Sequence, residues 1–183
     1  MNKPVSYYIG NAFMAFSLLL LLFIYYPVIE LYFFPQPVPK VSTQGFFIEI
    51  PKIHVVSPII PNVDPFNDAK YHEALTHGVA LSNTGVMPGQ NGTVYIFAHS
   101  SDFPWRITRY NTIFYKIGEL KVGDIIIIQN EQQIYRYTVT GQKVVWPSDL
   151  KYLTETKTNQ LILQTCTPIG TSLLRLLVFA KPI

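Results

Sequence analysis

The stretch QIYRYTVT (residues 133–140) decides the fold class of this chain, because apolar and polar residues alternate along it. A period of two is typical of a half-buried β-strand, whose successive side chains point to opposite faces of a sheet. The stretch is also rich in β-branched and aromatic residues, which favour strands. We therefore predict one strand from Gln133 to Val145.

Further runs on both sides of this strand share its features. Each is short, enriched in β-branched or aromatic residues, and bounded by Gly, Pro, Asn or Asp. Seven or eight strands within roughly 140 residues predict an all-β barrel or sandwich. The runs are Phe46–Ile50, His54–Ile60, Thr93–His99, Asp124–Asn130, Leu161–Thr165 and Leu173–Ala180.

Two segments between the strands have helical character. Asp68–His77 has apolar residues at near-helical spacing and is followed by Gly78, a common helix stop. A second short helix is predicted within Asn111–Ile117. By contrast, Pro147–Asn159 has no pattern of its own, and a loop of that length in a compact domain is more often functional than idle.

The N-terminal segment predicts a membrane anchor. Residues 4–29 contain no charge and centre on the leucine block Leu18–Leu22. The run Ile9–Ile29 is long enough to span a bilayer as a helix, and tyrosines lie near both ends, where interfacial aromatic residues are expected. A cleaved signal peptide is the alternative. It is disfavoured because the run is too long and does not end in small residues.

The chain accordingly divides into an anchor, a spacer and a globular domain. Lys3 precedes the helix and Glu30 follows it, which favours a cytoplasmic N-terminus, a single-pass anchor in the cell membrane and an extracellular domain. Closely spaced prolines after the helix predict an extended spacer. The predicted boundaries are 1–8 for the cytoplasmic end, 9–29 for the anchor, 30–45 for the spacer and 46–183 for the β domain.

The composition excludes several classes of function. Charged residues make up only 14% of the 183 residues, and the net charge is +3. Because the basic residues are scattered rather than clustered, no nucleic-acid surface is predicted. Cys166 is the only cysteine, which excludes an internal disulfide and a cysteine-based zinc cluster.

Cys166 is the strongest candidate for chemistry. It ends the apolar run from Leu161 and is followed by Pro168 and Gly170, which must stop the strand, so its thiol is expected at an accessible edge. An inert, packed cysteine is the alternative. A thiol needs a neighbouring base or cation to act as a nucleophile at neutral pH.

His99 and Arg175 are the predicted partners of that thiol. His99 closes an apolar strand as Cys166 does, whereas His54, His72 and His77 are expected to be surface or satisfied core histidines. Arg175 lies within an apolar run. If that run pairs antiparallel with the cysteine strand, Arg175 comes alongside the thiol and can stabilise an oxyanion. Alternatively, Arg175 extends to water from an edge strand.

These features resemble the sortase family of membrane-anchored cysteine transpeptidases. The family signature Thr-Leu-x-Thr-Cys corresponds here to ILQTC (residues 162–166), in which Ile162 replaces the first Thr. The histidine after an apolar strand and the arginine on the strand after the cysteine also match, over roughly residues 48–183. The class resembled is not that of the housekeeping prototype. The resemblance implies a closed β-barrel of about eight strands with one or two short helices.

The resemblance also implies a reaction and its partners. Cys166, His99 and Arg175 would cleave a C-terminal sorting signal of the Leu-Pro-x-Thr-Gly type through a thioacyl enzyme, which an amine of the cell wall or of another protein then resolves. No metal or organic cofactor is implied. The residues implied to bind the substrate are Thr165, Ala98, Trp146 and Leu150.

Two other functions remain open at this point. One is a Cys-His hydrolase that transfers the acyl group to water. The other is a membrane-tethered β domain that binds cell-surface ligands without catalysis. Both are compatible with an anchored β domain that carries a single cysteine.

Overall fold

The computed structural model describes residues 4–33, 45–100, 112–131, 133–155 and 158–183. The chain divides into two compact units, Met1–Pro37 and Val38–Ile183. The first unit contains a single helix, and the second contains a β-barrel.

Helix α1 spans Val5–Phe33. Its residues Val5–Tyr26 have a mean hydropathy of 1.9, so this helix is long and apolar enough to cross a membrane. The helix begins before the predicted Ile9 and continues into the first residues of the predicted spacer. Residues 34–44 of that spacer lie outside the described residues.

The second unit is a closed barrel of eight strands in the order β1-β2-β3-β4-β7-β8-β6-β5, with β5 pairing back to β1. This confirms the all-β prediction and decides between barrel and sandwich. The core is filled by apolar side chains such as Ile48, Ile128 and Leu163, which are fully buried. The strands are β1 (Phe46–Ile50), β2 (Val55–Val63), β3 (Val79–Ser82), β4 (Thr93–Phe97), β5 (Ile125–Asn130), β6 (Gln133–Val145), β7 (Gln160–Thr167) and β8 (Leu174–Pro182).

Two of the strand pairings in the barrel are parallel. β2 pairs parallel with β3, and β4 pairs parallel with β7. A parallel pair needs a crossover connection, which helix α2 (Asp68–His77) supplies between β2 and β3. The sequence did not predict β3, because its four residues are all buried and therefore show no alternation.

Two local predictions need correction. The second short helix is predicted within Asn111–Ile117, of which Asn111 lies outside the described residues. Residues 112–116 instead form turns, and a 3₁₀ helix follows at Ile117–Glu119, because the backbone bonds there join residues three apart. The segment Pro147–Asn159, predicted without secondary structure, contains the short helix α3 (Lys151–Thr154). Its α-type bond from Glu155 N–H to Lys151 O measures 2.8 Å.

Helix α2 has the predicted bounds, is capped at its start and lies close to β2 at its end. At its start, Asn67 Oδ1 accepts a bond of 3.2 Å from the Lys70 N–H, which caps the helix. In its last turns Ala74 and Leu75 are buried. At its end, a Cβ on Gly78 would lie 2.3 Å from the carbonyl oxygen of Pro58. Glycine is needed there because α2 approaches the β2 backbone closely.

Replacing Gly78 with Ala is expected to destabilise the barrel by about 1–3 kcal/mol, because the added methyl group meets rigid backbone. Thermal unfolding of the full chain in detergent measures the change. Gly141→Ala is the matched control, since a Cβ at Gly141 meets nothing within 4 Å. Equal melting temperatures for the two variants would contradict the prediction.

Candidate active site

The pairing of β7 with β8 brings Cys166 and Arg175 together. The two residues are direct partners in the antiparallel register, so their side chains project from the same face of the sheet. This confirms the strand pairing predicted from the sequence. Both side chains are half-buried, as expected for groups at an accessible barrel edge.

The parallel pairing of β4 with β7 brings His99 to the same edge. Phe97 is the register partner of Gln164, and the Ala98 N–H donates a bond of 3.1 Å to the Gln164 carbonyl. His99 and Cys166 each follow two residues after these partners. His99 therefore lies just beyond the end of β4, at the same end of the paired strands as Cys166. His99 is half-buried.

Thr165 and Ala98, the first two predicted substrate-binding residues, hold the ends of these strands together. The Thr165 hydroxyl donates a bond of 2.9 Å to the Ala98 carbonyl, and both residues are buried. Buried hydroxyls require such a partner, since an unsatisfied one costs about 1–3 kcal/mol. The bond joins the residue before His99 to the residue before Cys166.

The Arg175 guanidinium is oriented by its own turn. Its Nη1 donates to the carbonyl oxygens of Ser172 at 2.9 Å and Leu174 at 3.2 Å. These two bonds use one nitrogen, whereas a guanidinium has five N–H donors in a planar fork. The arrangement thus fixes one end of the fork.

Helix α2 covers the β4 side of this face with two aromatic rings that the sequence did not assign to the site. The Tyr71 ring stacks on Phe97 at 5.1 Å between centroids and contacts His99 edge to face at 5.9 Å. The His72 ring lies nearly parallel to the His99 ring, at 5.7 Å and 20°. His72 is exposed, as predicted for a surface histidine, yet it contacts the histidine of the site.

Burial raises the pKa of Tyr71 to about 12. Negative charge on Cys166 adds to this rise, and the positive charge of Arg175 opposes it. Burial of Tyr95 likewise raises its pKa, and the positive charge of Arg175 again opposes the rise. The Tyr95 hydroxyl donates a hydrogen bond of 2.6 Å to Gln164 Oε1. Both phenols therefore stay neutral beside the cysteine and the arginine at physiological pH.

The segment between β6 and β7 begins next to the register partner of Arg175. Val145, the last residue of β6, is the register partner of Arg175, and the next residue is Trp146. Trp146 and Leu150, the other predicted substrate-binding residues, are 66% and 46% exposed. They are exposed apolar side chains in the segment that follows Val145, the register partner of Arg175.

Helix α3 keeps this segment in place. The Thr84 hydroxyl donates a bond of 2.8 Å to the Leu153 carbonyl, and the Tyr152 ring contacts Phe179 of β8 at 5.8 Å. The exposed Trp146 and Leu150 are thus attached to a segment that is ordered by side chains of the barrel.

The remaining histidines lie elsewhere in sequence and structure. His54 is exposed and precedes β2, and His77 is exposed at the end of α2. Among the described residues, no group of three or more His, Cys, Asp or Glu side chains could hold a metal ion.

The chain is thus a closed eight-stranded β-barrel protein in which a cysteine and an arginine pair across neighbouring strands. Residues 48–183 match the family model for the sortase domain. The chain therefore belongs to the sortase family, whose members are cysteine transpeptidases. Sortases are membrane-anchored, in keeping with the apolar helix α1 as a candidate membrane span.

Individual relatives share about a quarter of their residues with this chain. Sortase D of Bacillus subtilis (strain 168) is 25% identical over 147 residues, covering 78% of this chain and 66% of that protein. The structure of Sortase A from Corynebacterium diphtheriae is 28% identical with a TM-score of 0.62, covering 76% of this chain and 60% of its own. The Clostridium perfringens Sortase D5 transpeptidase is 27% identical with a TM-score of 0.61, covering 76% and 79%. The chain thus spans less than two thirds of the first two relatives.

Replacing Tyr71 with Phe is expected to make the fold more resistant to alkali. Above pH 10 the unfolded chain loses the phenolic proton while the fold retains it until about pH 12, so stability falls with rising pH by about 1.4 kcal/mol per unit. Tyr71→Phe has no phenolic proton at this position, so its stability should fall less steeply with rising pH. Denaturant unfolding at pH 9, 10 and 11 compares the two slopes, with Tyr8→Phe in α1 as the control. Identical slopes in wild type and Tyr71→Phe would contradict the prediction.

Proposed function

We propose that this chain is a cysteine transpeptidase with Cys166 as nucleophile, His99 as general acid and base, and Arg175 as the oxyanion-stabilising group. The observation that carries the proposal is the register pairing of Cys166 with Arg175, at the strand end that lies next to His99. A nucleophile, a proton carrier and a cation are the three groups that acyl transfer requires.

In the first half of the reaction, the Cys166 thiolate attacks the carbonyl carbon of the Thr in a sorting signal of the Leu-Pro-x-Thr-Gly type. The oxyanion that forms accepts hydrogen bonds from the Arg175 guanidinium. His99 donates its proton to the leaving Gly amine, so that the C–N bond breaks and a thioester remains. The imidazolium also stabilises the thiolate before the attack.

In the second half, an amine of the cell wall or of another protein attacks the thioester. His99 takes the amine proton, the C–S bond breaks, and the new amide carries the sorted protein. Trp146 and Leu150 would supply an apolar wall for the Leu-Pro part of the signal, since both are exposed apolar side chains in the segment that follows Val145, the register partner of Arg175. Thr165 and Ala98 contribute indirectly, because the hydrogen bond between them holds together the strand ends that carry the reacting groups.

The location follows from α1. A single-pass anchor with the N-terminus in the cytoplasm would hold the barrel outside the cell, where both sorting signals and cell-wall amines are accessible. The apolar character of Val5–Tyr26 supports the anchor.

Cys166→Ala is expected to abolish the thioacyl adduct and all turnover of a peptide that contains a Leu-Pro-x-Thr-Gly signal, because no other cysteine is present. Mass spectrometry of the intact protein and of the products, with and without added oligoglycine, measures both. Wild type should shift from hydrolysed to amine-linked product as the amine concentration rises. Hydrolysis at every amine concentration would identify a hydrolase, and retained peptide binding without any adduct in wild type would identify a binding domain.

Arg175→Lys is expected to lower kcat/KM by about 10²–10³-fold, because an ammonium keeps the charge but lacks the planar fork that is oriented by Ser172 and Leu174. Arg136→Lys, an exposed position on β6, is the matched control and should stay within about twofold of wild type. Steady-state kinetics with the same peptide measures both. Equal effects at the two positions would remove Arg175 from the mechanism.

A further inference from the structure

We propose that His72 of helix α2 is a positioning residue, whose ring holds the His99 imidazole in the orientation that proton transfer requires. The inference rests on the proposed function of His99. His72 has no role in the mechanism proposed for Cys166, His99 and Arg175. The observation behind the inference is the contact of the His72 and Tyr71 rings with the His99 ring.

The His99 ring is bounded on two sides by rings from the same helix. His72 lies nearly parallel to it, at 5.7 Å and 20°, and Tyr71 meets it edge to face, at 5.9 Å and 83°. The Tyr71 and His72 rings are themselves at 87° to each other. Two mutually perpendicular surfaces restrict both sideways movement and rotation of the imidazole between them.

Helix α2 is a firm support for these rings. Leu75 is fully buried one turn after Tyr71, and Tyr71 itself stacks on Phe97 at 5.1 Å and 6°. The Asn67 cap fixes the start of the helix, and the tight contact of Gly78 with Pro58 fixes its end. The helix therefore holds His72 in place independently of His99.

Orientation matters for His99 because an imidazole acts through two distinct nitrogens. One must face the thiolate or the leaving amine, and rotation of the ring about its own bond moves that nitrogen away. A displacement of about 1 Å can lower a rate 10²-fold. Stacking by His72 restricts the rotated orientations and so acts on the proton-transfer step.

Steady-state kinetics of three variants of the full chain in detergent tests this inference. His72→Ala removes the stacking ring and is expected to lower kcat by about 10- to 100-fold while KM stays within about twofold. His72→Phe restores a flat ring and should recover kcat to within about threefold of wild type. His77→Ala, five residues further along α2 and thus about 140° around the helix, is the matched control and should leave both constants unchanged.

A second measurement does not depend on activity. Proton NMR detects the ring hydrogens of the four histidines, and His99→Gln identifies the His99 signals by their loss. His72→Ala should shift the His99 signals strongly, because the ring current of a stacked neighbour is removed. His77→Ala should not shift them.

The possible outcomes separate the two proposals. If wild type forms no thioacyl adduct at Cys166, the proposed function fails, and the NMR comparison still tests the ring contact. If the adduct forms but His72→Ala has the wild-type kcat, the inference is overturned and the function stands. A raised KM with unchanged kcat, or equal losses in His72→Ala and His72→Phe, would also overturn it.

Discussion

The whole site depends on the pairing of β7 with two different neighbours. On one side β4 runs parallel to β7, and on the other side β8 runs antiparallel to it. Because register fixes which residues lie opposite one another, a slip of one residue would turn Cys166 to the other face of the sheet. The bond from Thr165 to Ala98 and the buried side chains of these strands prevent that slip.

Two segments outside the strands pack against the strands that carry the site. Helix α2 contacts Phe97 and His99 through Tyr71 and His72, and Tyr152 of α3 contacts Phe179 of β8. Each segment also contains buried residues, Leu75 in α2 and Leu153 in α3. Ordered supports of this kind reduce the reorganisation that a reaction must otherwise include. Burial also keeps the Tyr71 phenol neutral, since it raises the pKa of Tyr71 to about 12.

The family relationship and the geometry of this chain carry different information. The match over residues 48–183 establishes membership of the sortase family, and a solved sortase structure shares the fold at 28% identity. Such distance leaves room for differences in the residues that surround the reacting groups. The contact of His72 with His99 and the exposure of Trp146 are read from the structure of this chain and do not follow from family membership.

The sequence by itself determined the elements whose signals are local: the alternating strand Gln133–Val145, the helix Asp68–His77 with its glycine stop, and the apolar N-terminal run. It also indicated Cys166, His99 and Arg175, since each ends or interrupts an apolar run in a way that needs an explanation. Only the tertiary structure revealed β3 and α3, the closure of the barrel, and the stacking of His72 on His99. These features depend on contacts between residues far apart in the chain. The periodicity of a sequence indicates individual strands and helices, but it does not indicate which distant strands pair in parallel.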